Sequence, residues 1–105
     1  MISGLEKLLG TPRDGALLRY SLGLEYAKAG NAARALGYLR DAVQRDPEYS
    51  AAWKALGKLL ADSDPGEALD AFRHGIEAAR RKGDKQAEKE MTVFARRLEK
   101  QHGSR

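Results

Sequence analysis

The chain has no cysteine, and its 105 residues include only two histidines, three prolines and one tryptophan. Without thiols there can be neither disulfides nor thiolate metal sites. His74 and His102 are too far apart in sequence for metal-ligand spacing, so no zinc site and no nucleophile–base pair is expected. Acid pairs such as Asp62 and Asp64 suit turn and cap positions better than acid–base catalysis. Gly30, Gly37 and Gly57 follow no predicted strand, so they do not form a phosphate-cradling loop. Together these absences predict a protein that is not an enzyme, with no metal and no cofactor. No apolar run approaches the roughly 18 residues of a membrane span. The start, Met1-Ile2-Ser3-Gly4-Leu5-Glu6, has neither the basic leader nor the apolar core of a secretory signal, so a cytoplasmic location is expected.

What the chain does have is helical patterning. Hydrophobic residues make up 42% and charged residues 32%, as expected when every helix has one buried stripe and one solvated stripe. The length suits a single small domain. Ile2, Leu5, Leu8 and Leu9 fall at helical spacing, but a segment this short is marginal alone, and residues 1–13 are expected to be weakly ordered. Thr11-Pro12-Arg13-Asp14 offers a cap, an N1 proline and an acid, so the first long helix opens at Thr11 or at Asp14 and runs to Ala29. Gly30-Asn31 is a turn pair. The second helix runs from Ala32 to about Arg45 and stops before Asp46-Pro47, because the residue preceding proline avoids helical dihedrals.

The third helix begins at Tyr49 or Ser50 and reaches Ala61. Asp64 caps the fourth, Pro65 opens it, and basic residues followed by Gly83 close it. Asp84 caps the fifth, whose buried stripe is Ala87, Met91, Phe94, Ala95 and Leu98. Its charged residues stay wet, and Gln101 to Arg105 is expected to fray.

An internal duplication runs through these elements. Arg19-x-x-Leu22-Gly23-x-x-Tyr26 recurs 34 residues later as Trp53-x-x-Leu56-Gly57-x-x-Leu60. Ala35-x-x-x-Leu39-x-x-Ala42 recurs as Ala68-x-x-x-Phe72-x-x-Gly75, at a spacing of 33 because the turn at Asp62–Pro65 is one residue shorter. Gly23 and Gly57 fall where a second helix passes too close for a side chain. Ala35 and Ala68 are the small residues of that second helix, Leu39 and Phe72 fill the space between helices, and Ala42 and Gly75 leave room for the next unit. The first copy lacks the Trp that the second supplies.

This pattern resembles the tetratricopeptide repeat, and the layout is similar to that of short stand-alone bacterial proteins of the family. The resemblance implies an all-α fold: an α-solenoid of five helices in a right-handed superhelix, within one domain over 14–102. Repeat 1 covers about 16–49, repeat 2 about 50–82, and a capping helix about 84–101. A terminal helix with one polar face is what a repeat array needs to cover its last apolar face. The resemblance also implies a protein-protein interaction module, binding a peptide segment or partner helix in a concave groove lined by the first helix of each unit. Carried over to this sequence, the groove is Leu17, Tyr20, Leu24 and Lys28, then Ala51, Lys54, Lys58 and Asp62, then Lys85, Glu88, Thr92 and Arg96.

One end of that groove is apolar with a phenol and the other is basic. The implied partner is therefore a protein or peptide with a hydrophobic anchor and an acidic group. Two alternatives stand beside this reading. A nucleic-acid-associated basic helical protein would use Arg80, Arg81, Lys82, Lys85, Lys89, Arg96, Arg97 and Lys100, although Asp84, Glu88, Glu90 and Glu99 interrupt that stripe. A scaffold could instead homodimerise through the fifth helix, where the capping role predicts a monomer.

Overall fold

The computed structural model of the chain describes residues 1–103. Among them there is no strand. The helices are α1 (Ile2–Glu6), α2 (Ala16–Lys28), α3 (Ala32–Arg45), α4 (Ser50–Leu60), α5 (Pro65–Lys82) and α6 (Lys85–Leu98), with a π-type turn at Glu99–Gly103. The fold is all-α. The five expected long helices are joined by a sixth, short one, because α1 finds tertiary support on α2: the Tyr26 hydroxyl donates to the Glu6 carboxylate. The π-type turn continues the chain past Leu98, and the last part of the expected frayed segment, residues 104–105, lies outside the described residues.

The chain forms two compact units, divided after Pro47. In the first, α2 and α3 form a helical hairpin, with α1 packed on α2. Leu22, Ala35, Leu39 and Ala42 are buried. A Cβ on Gly23 would lie 2.7 Å from Leu39 Cγ, the close approach that the duplicated glycine requires. Gly30 takes a left-handed φ of 81° and ends α2. Asn31 has a φ of −100°, so it does not share that turn conformation; it caps α3 instead, its side chain accepting from the Arg34 N–H at 3.1 Å.

The start of α2 differs from both predicted openings. Gly15 is the N-cap and no side chain caps it. Thr11 closes a preceding turn through its hydroxyl and the Leu8 carbonyl. Asp14 is taken up elsewhere: it accepts from the Gly10 N–H at 2.9 Å and from Arg19 at 3.0 and 2.9 Å. Arg19 also reaches Asp41 on α3 at 3.0 Å. It stands where the second copy has Trp53, and it ties the hairpin with a two-carboxylate clasp rather than an apolar plug.

In the second unit, α4 and α5 form the equivalent hairpin and α6 packs on α5. Asp64 caps α5 by accepting from Glu67 N–H, Pro65 occupies its first turn, and Gly83 ends it at a left-handed φ of 74°. Asp84 caps α6 by accepting from Ala87 N–H. Ala68, Phe72, Ala79, Met91, Ala95 and Leu98 are buried. Gly75 leaves the room expected of it, since a side chain there would collide with the sulfur of Met91 and with Trp53 Cβ. The Trp53 indole is stacked on the His74 imidazole, ring centroids 4.6 Å apart. His74 is held in turn by Nδ1 against the Asp70 carbonyl.

Candidate docking face on the second unit

Helix α4 presents Ala51, Lys54, Lys58 and, just beyond its end, Asp62 at helical spacing, on the side away from the buried Leu56 and Leu60. Four of the predicted groove residues are therefore together. The α6 residues that approach α4 are others than the four read from the repeat register. Lys54 Nζ donates to Glu90 Oε1 at 2.9 Å, an offset of 36 residues rather than the 34 of the repeat. One turn later, Lys58 Nζ stands 5.5 Å from the centroid of Phe94. The α6 residues lining pockets with α4 are Gln86, Ala87, Glu90 and Met91 at one end, and Phe94, Arg97 and Leu98 at the other, where Gln101 of the π-type turn joins them.

Lys85, Glu88, Thr92 and Arg96 of α6 do not line these pockets. Glu88 turns towards α5 and accepts from Arg80 at 3.0 Å, while the Thr92 hydroxyl bonds back to the Glu88 carbonyl at 2.8 Å. Lys85 and Arg96 are exposed.

The two ends of the face differ in charge. At the amino end, the Lys54 ammonium and the Gln86 amide both hold Glu90, and their hydrogen bonds keep its carboxyl below the ordinary glutamate range. Lys54 is thus already paired with an acid. At the carboxyl end, Lys58 and Arg97 both stand over the Phe94 ring, at 5.5 and 6.0 Å from its centroid, and neither has a carboxylate within ion-pair distance among the described residues. Phe94 stacks on Phe72 at 5.4 Å. Ala61, Phe72, Phe94 and Leu98 form an apolar floor, with Lys58, Asp62, Arg97 and Gln101 around it, enclosing a pocket of about 300 Å³.

In the first unit, Leu17 is 68% exposed, Tyr20 and Leu24 are half-buried, and Lys28 is exposed beside Glu25 at 3.5 Å. The stripe considered for phosphate contacts loses two of its members to internal acids. Arg81 makes a bidentate pair with Glu48, both contacts at 2.8 Å, and Arg80 is shared between Glu88 and Glu77. The Arg81 hydrogen bonds hold the Glu48 carboxyl below its ordinary range.

Duplicated helical hairpins with a glycine at each close crossing, followed by a further helix packed on the last, define a helical-repeat protein. The tetratricopeptide repeat family model matches residues 16–59. A TPR repeat-containing protein of Pseudomonas aeruginosa is 52% identical over 101 residues, covering 95% of this chain and 96% of that protein. The chain belongs to the tetratricopeptide repeat family.

Two solved structures have similar folds. A Bordetella parapertussis protein matches with a TM-score of 0.79 at 42% identity, over 96% of this chain and 89% of that one. A tetratricopeptide repeat domain protein from Salinibacter ruber matches with a TM-score of 0.76 at 33% identity, over 82% of this chain and 97% of that one. Repeats of this family are in general protein-protein interaction modules and non-enzymatic scaffolds.

Proposed function

We propose that the chain captures a segment of a partner protein on the α4–α6 face of its second unit, and that the segment carries a hydrophobic anchor beside an acidic group. The observation that supports this most is the arrangement around Phe94: two cations without acid partners among the described residues, set over an apolar pocket. Two cations that stand over one ring with no acid in ion-pair contact are available to an anion, and an anion with an apolar neighbour would suit both the charge and the floor. Lys54 takes no direct part while Glu90 holds it. The exposed Leu17 and the half-buried Tyr20 and Leu24 of α2 give the first unit an apolar strip that a longer segment would use on its own account.

The test is capture of a labelled peptide containing a leucine followed by glutamates, measured by fluorescence anisotropy. Lys58→Glu with Arg97→Glu is expected to remove binding, and Lys85→Glu with Arg96→Glu to leave most of it. The reverse ranking would move the docking face off α4. A homodimer through α6 would instead show as concentration-dependent sedimentation of the unliganded chain, and a phosphate-binding surface as an affinity that falls steeply with salt for nucleic acid.

A further inference from the structure

We infer that the outward face of α6 docks on the phosphate backbone of duplex DNA. This surface is separate from the α4–α6 cleft, and either can stand without the other.

Helix α6 buries Met91, Ala95 and Leu98. At about 3.6 residues per turn, that turns Lys85, Lys89, Val93 and Arg96 to the opposite side. All four are exposed. In the sequence this stretch reads as electrically mixed, since Asp84, Glu88, Glu90 and Glu99 are interspersed with the cations. The fold sorts the charges. Glu88, on one flank of the helix, is paired with Arg80 of α5 at 2.9 Å, and Glu90, on the other flank, is paired with Lys54 of α4 at 2.9 Å. Glu99, just past the helix, is paired with Arg73 of α5 at 3.1 Å. Asp84 is taken up by the cap, where it accepts from the Ala87 N–H. Each acid of the segment is thus engaged by a neighbouring helix or by the cap. Lys85, Lys89 and Arg96 have no acid within ion-pair distance among the described residues.

The spacing of these cations points to the occupant. They stand along roughly 16 Å of helix axis instead of converging on one point. A single carboxylate meets one of them at a time, whereas a duplex carries about one negative charge per 1.7 Å of its axis and offers partners along the whole length. The large apolar side chains of α6 face inward, leaving Val93, 49% exposed, on the outer side. One valine is too little to seat a helix in a bilayer interface, which takes a whole apolar face. No aromatic stands among the four outward residues, so the bases of a single strand find no stacking platform. The major groove of B-form DNA, about 12 Å wide, admits a helix, while the deep, narrow groove of A-form RNA does not. Contacts of this kind reach phosphates and carry no sequence preference.

The experiment uses the full chain and a fluorescein-labelled DNA duplex of about 20 base pairs, titrated by anisotropy at several salt concentrations between about 50 and 200 mM. Three phosphate contacts predict a slope of log affinity against log salt of about −3, a loss of roughly forty-fold over that range. The triple variant Lys85→Gln, Lys89→Gln and Arg96→Gln should bind at least about ten-fold more weakly at low salt, with a slope near zero. Lys7→Gln, Arg13→Gln and Arg45→Gln together remove the same charge from exposed positions of the first unit and should cost less than about three-fold. Val93→Glu keeps every cation and sets an unpaired acid among them, so it should weaken binding about five-fold or more, while Val93→Gln should not. Helical circular dichroism and melting identify any variant that fails to fold.

The inference is overturned if the wild-type chain does not bind the duplex at the lowest salt, or if the two triple variants lose equally, which would make net charge alone responsible. Equal weakening by Val93→Glu and Val93→Gln also overturns it. Tighter binding, at matched salt, to an RNA duplex or to phosphatidylserine-containing vesicles would assign the face to that surface instead of DNA.

Discussion

Phe72 fills the space that a side chain on Gly57 would need: a Cβ built on that glycine lies 2.7 Å from the ring carbons Cε1 and Cζ. The ring cannot slide away freely, because it also stacks on Phe94. Gly57→Ala is therefore expected to destabilise the protein by about 1–3 kcal/mol, the usual cost of overpacking. Gly37, in the interior of α3, has open space around it. Gly37→Ala should stabilise by about 0.5–1 kcal/mol through chain entropy and helix propensity. Thermal melts of the two variants check the contrast, and equal behaviour would contradict the close crossing.

The Asp14–Arg19 clasp predicts an acid sensitivity. The Arg19 hydrogen bonds, and after them the Gly10 N–H, hold the Asp14 carboxyl well below the ordinary carboxylate range. A group whose folded pKa is depressed stabilises the protein fully above the pH where the unfolded side chain titrates, about 4, and loses that contribution as pH falls further. Asp14→Asn should lower stability at neutral pH and flatten the decline between about pH 4 and pH 2 relative to wild type. Denaturant titrations across that range measure it. An unaltered slope would mean that the clasp adds nothing to folding.

Asn31 is the side-chain cap of α3, and replacing it by alanine should cost about 1 kcal/mol. In a domain of this size that is a fall of roughly 4–8 °C in Tm. Calorimetry decides it, and a change within error would make the cap incidental.

Glu90 occupies Lys54 from within the molecule. Glu90→Gln removes the carboxylate while keeping a side chain of the same shape, so Lys54 becomes available to a ligand acid. Under the proposed function, a peptide with an extra glutamate upstream of its anchor should bind a few-fold tighter to this variant than to wild type, and Lys54→Gln should cancel the gain. Weaker binding to Glu90→Gln would show that the pair shapes the face rather than screening it.

The sequence made the hairpins legible because close helix crossings demand small residues at fixed places, and Gly23, Gly57 and Gly75 each sit where a Cβ would collide. Caps with a single local mechanism were equally readable: Asp64 and Asp84 each accept from the N–H three residues on. Features that depend on tertiary partners were not. Asp14 has the chemistry of a cap, and only the hairpin fold shows that Arg19 claims it. The α4 side of the cleft could be read from the repeat register, whereas the α6 residues that approach it, Glu90 and Phe94, stand at an offset of 36 rather than 34. A heptad-like reading of α6 did place Phe94 on the inward stripe. Its place opposite Lys58 is a tertiary feature that the stripe alone does not carry.

The central claim is that partners dock on α4 and α6 around Phe94. Backbone amide chemical-shift mapping of the full chain, titrated with the peptide that carries a leucine followed by glutamates, tests it most directly. The account predicts saturable shifts concentrated at Lys58, Asp62, Phe94, Arg97 and Gln101. Shifts concentrated instead on the Arg80–Lys85 stretch, or confined to α2 and α3, would contradict it.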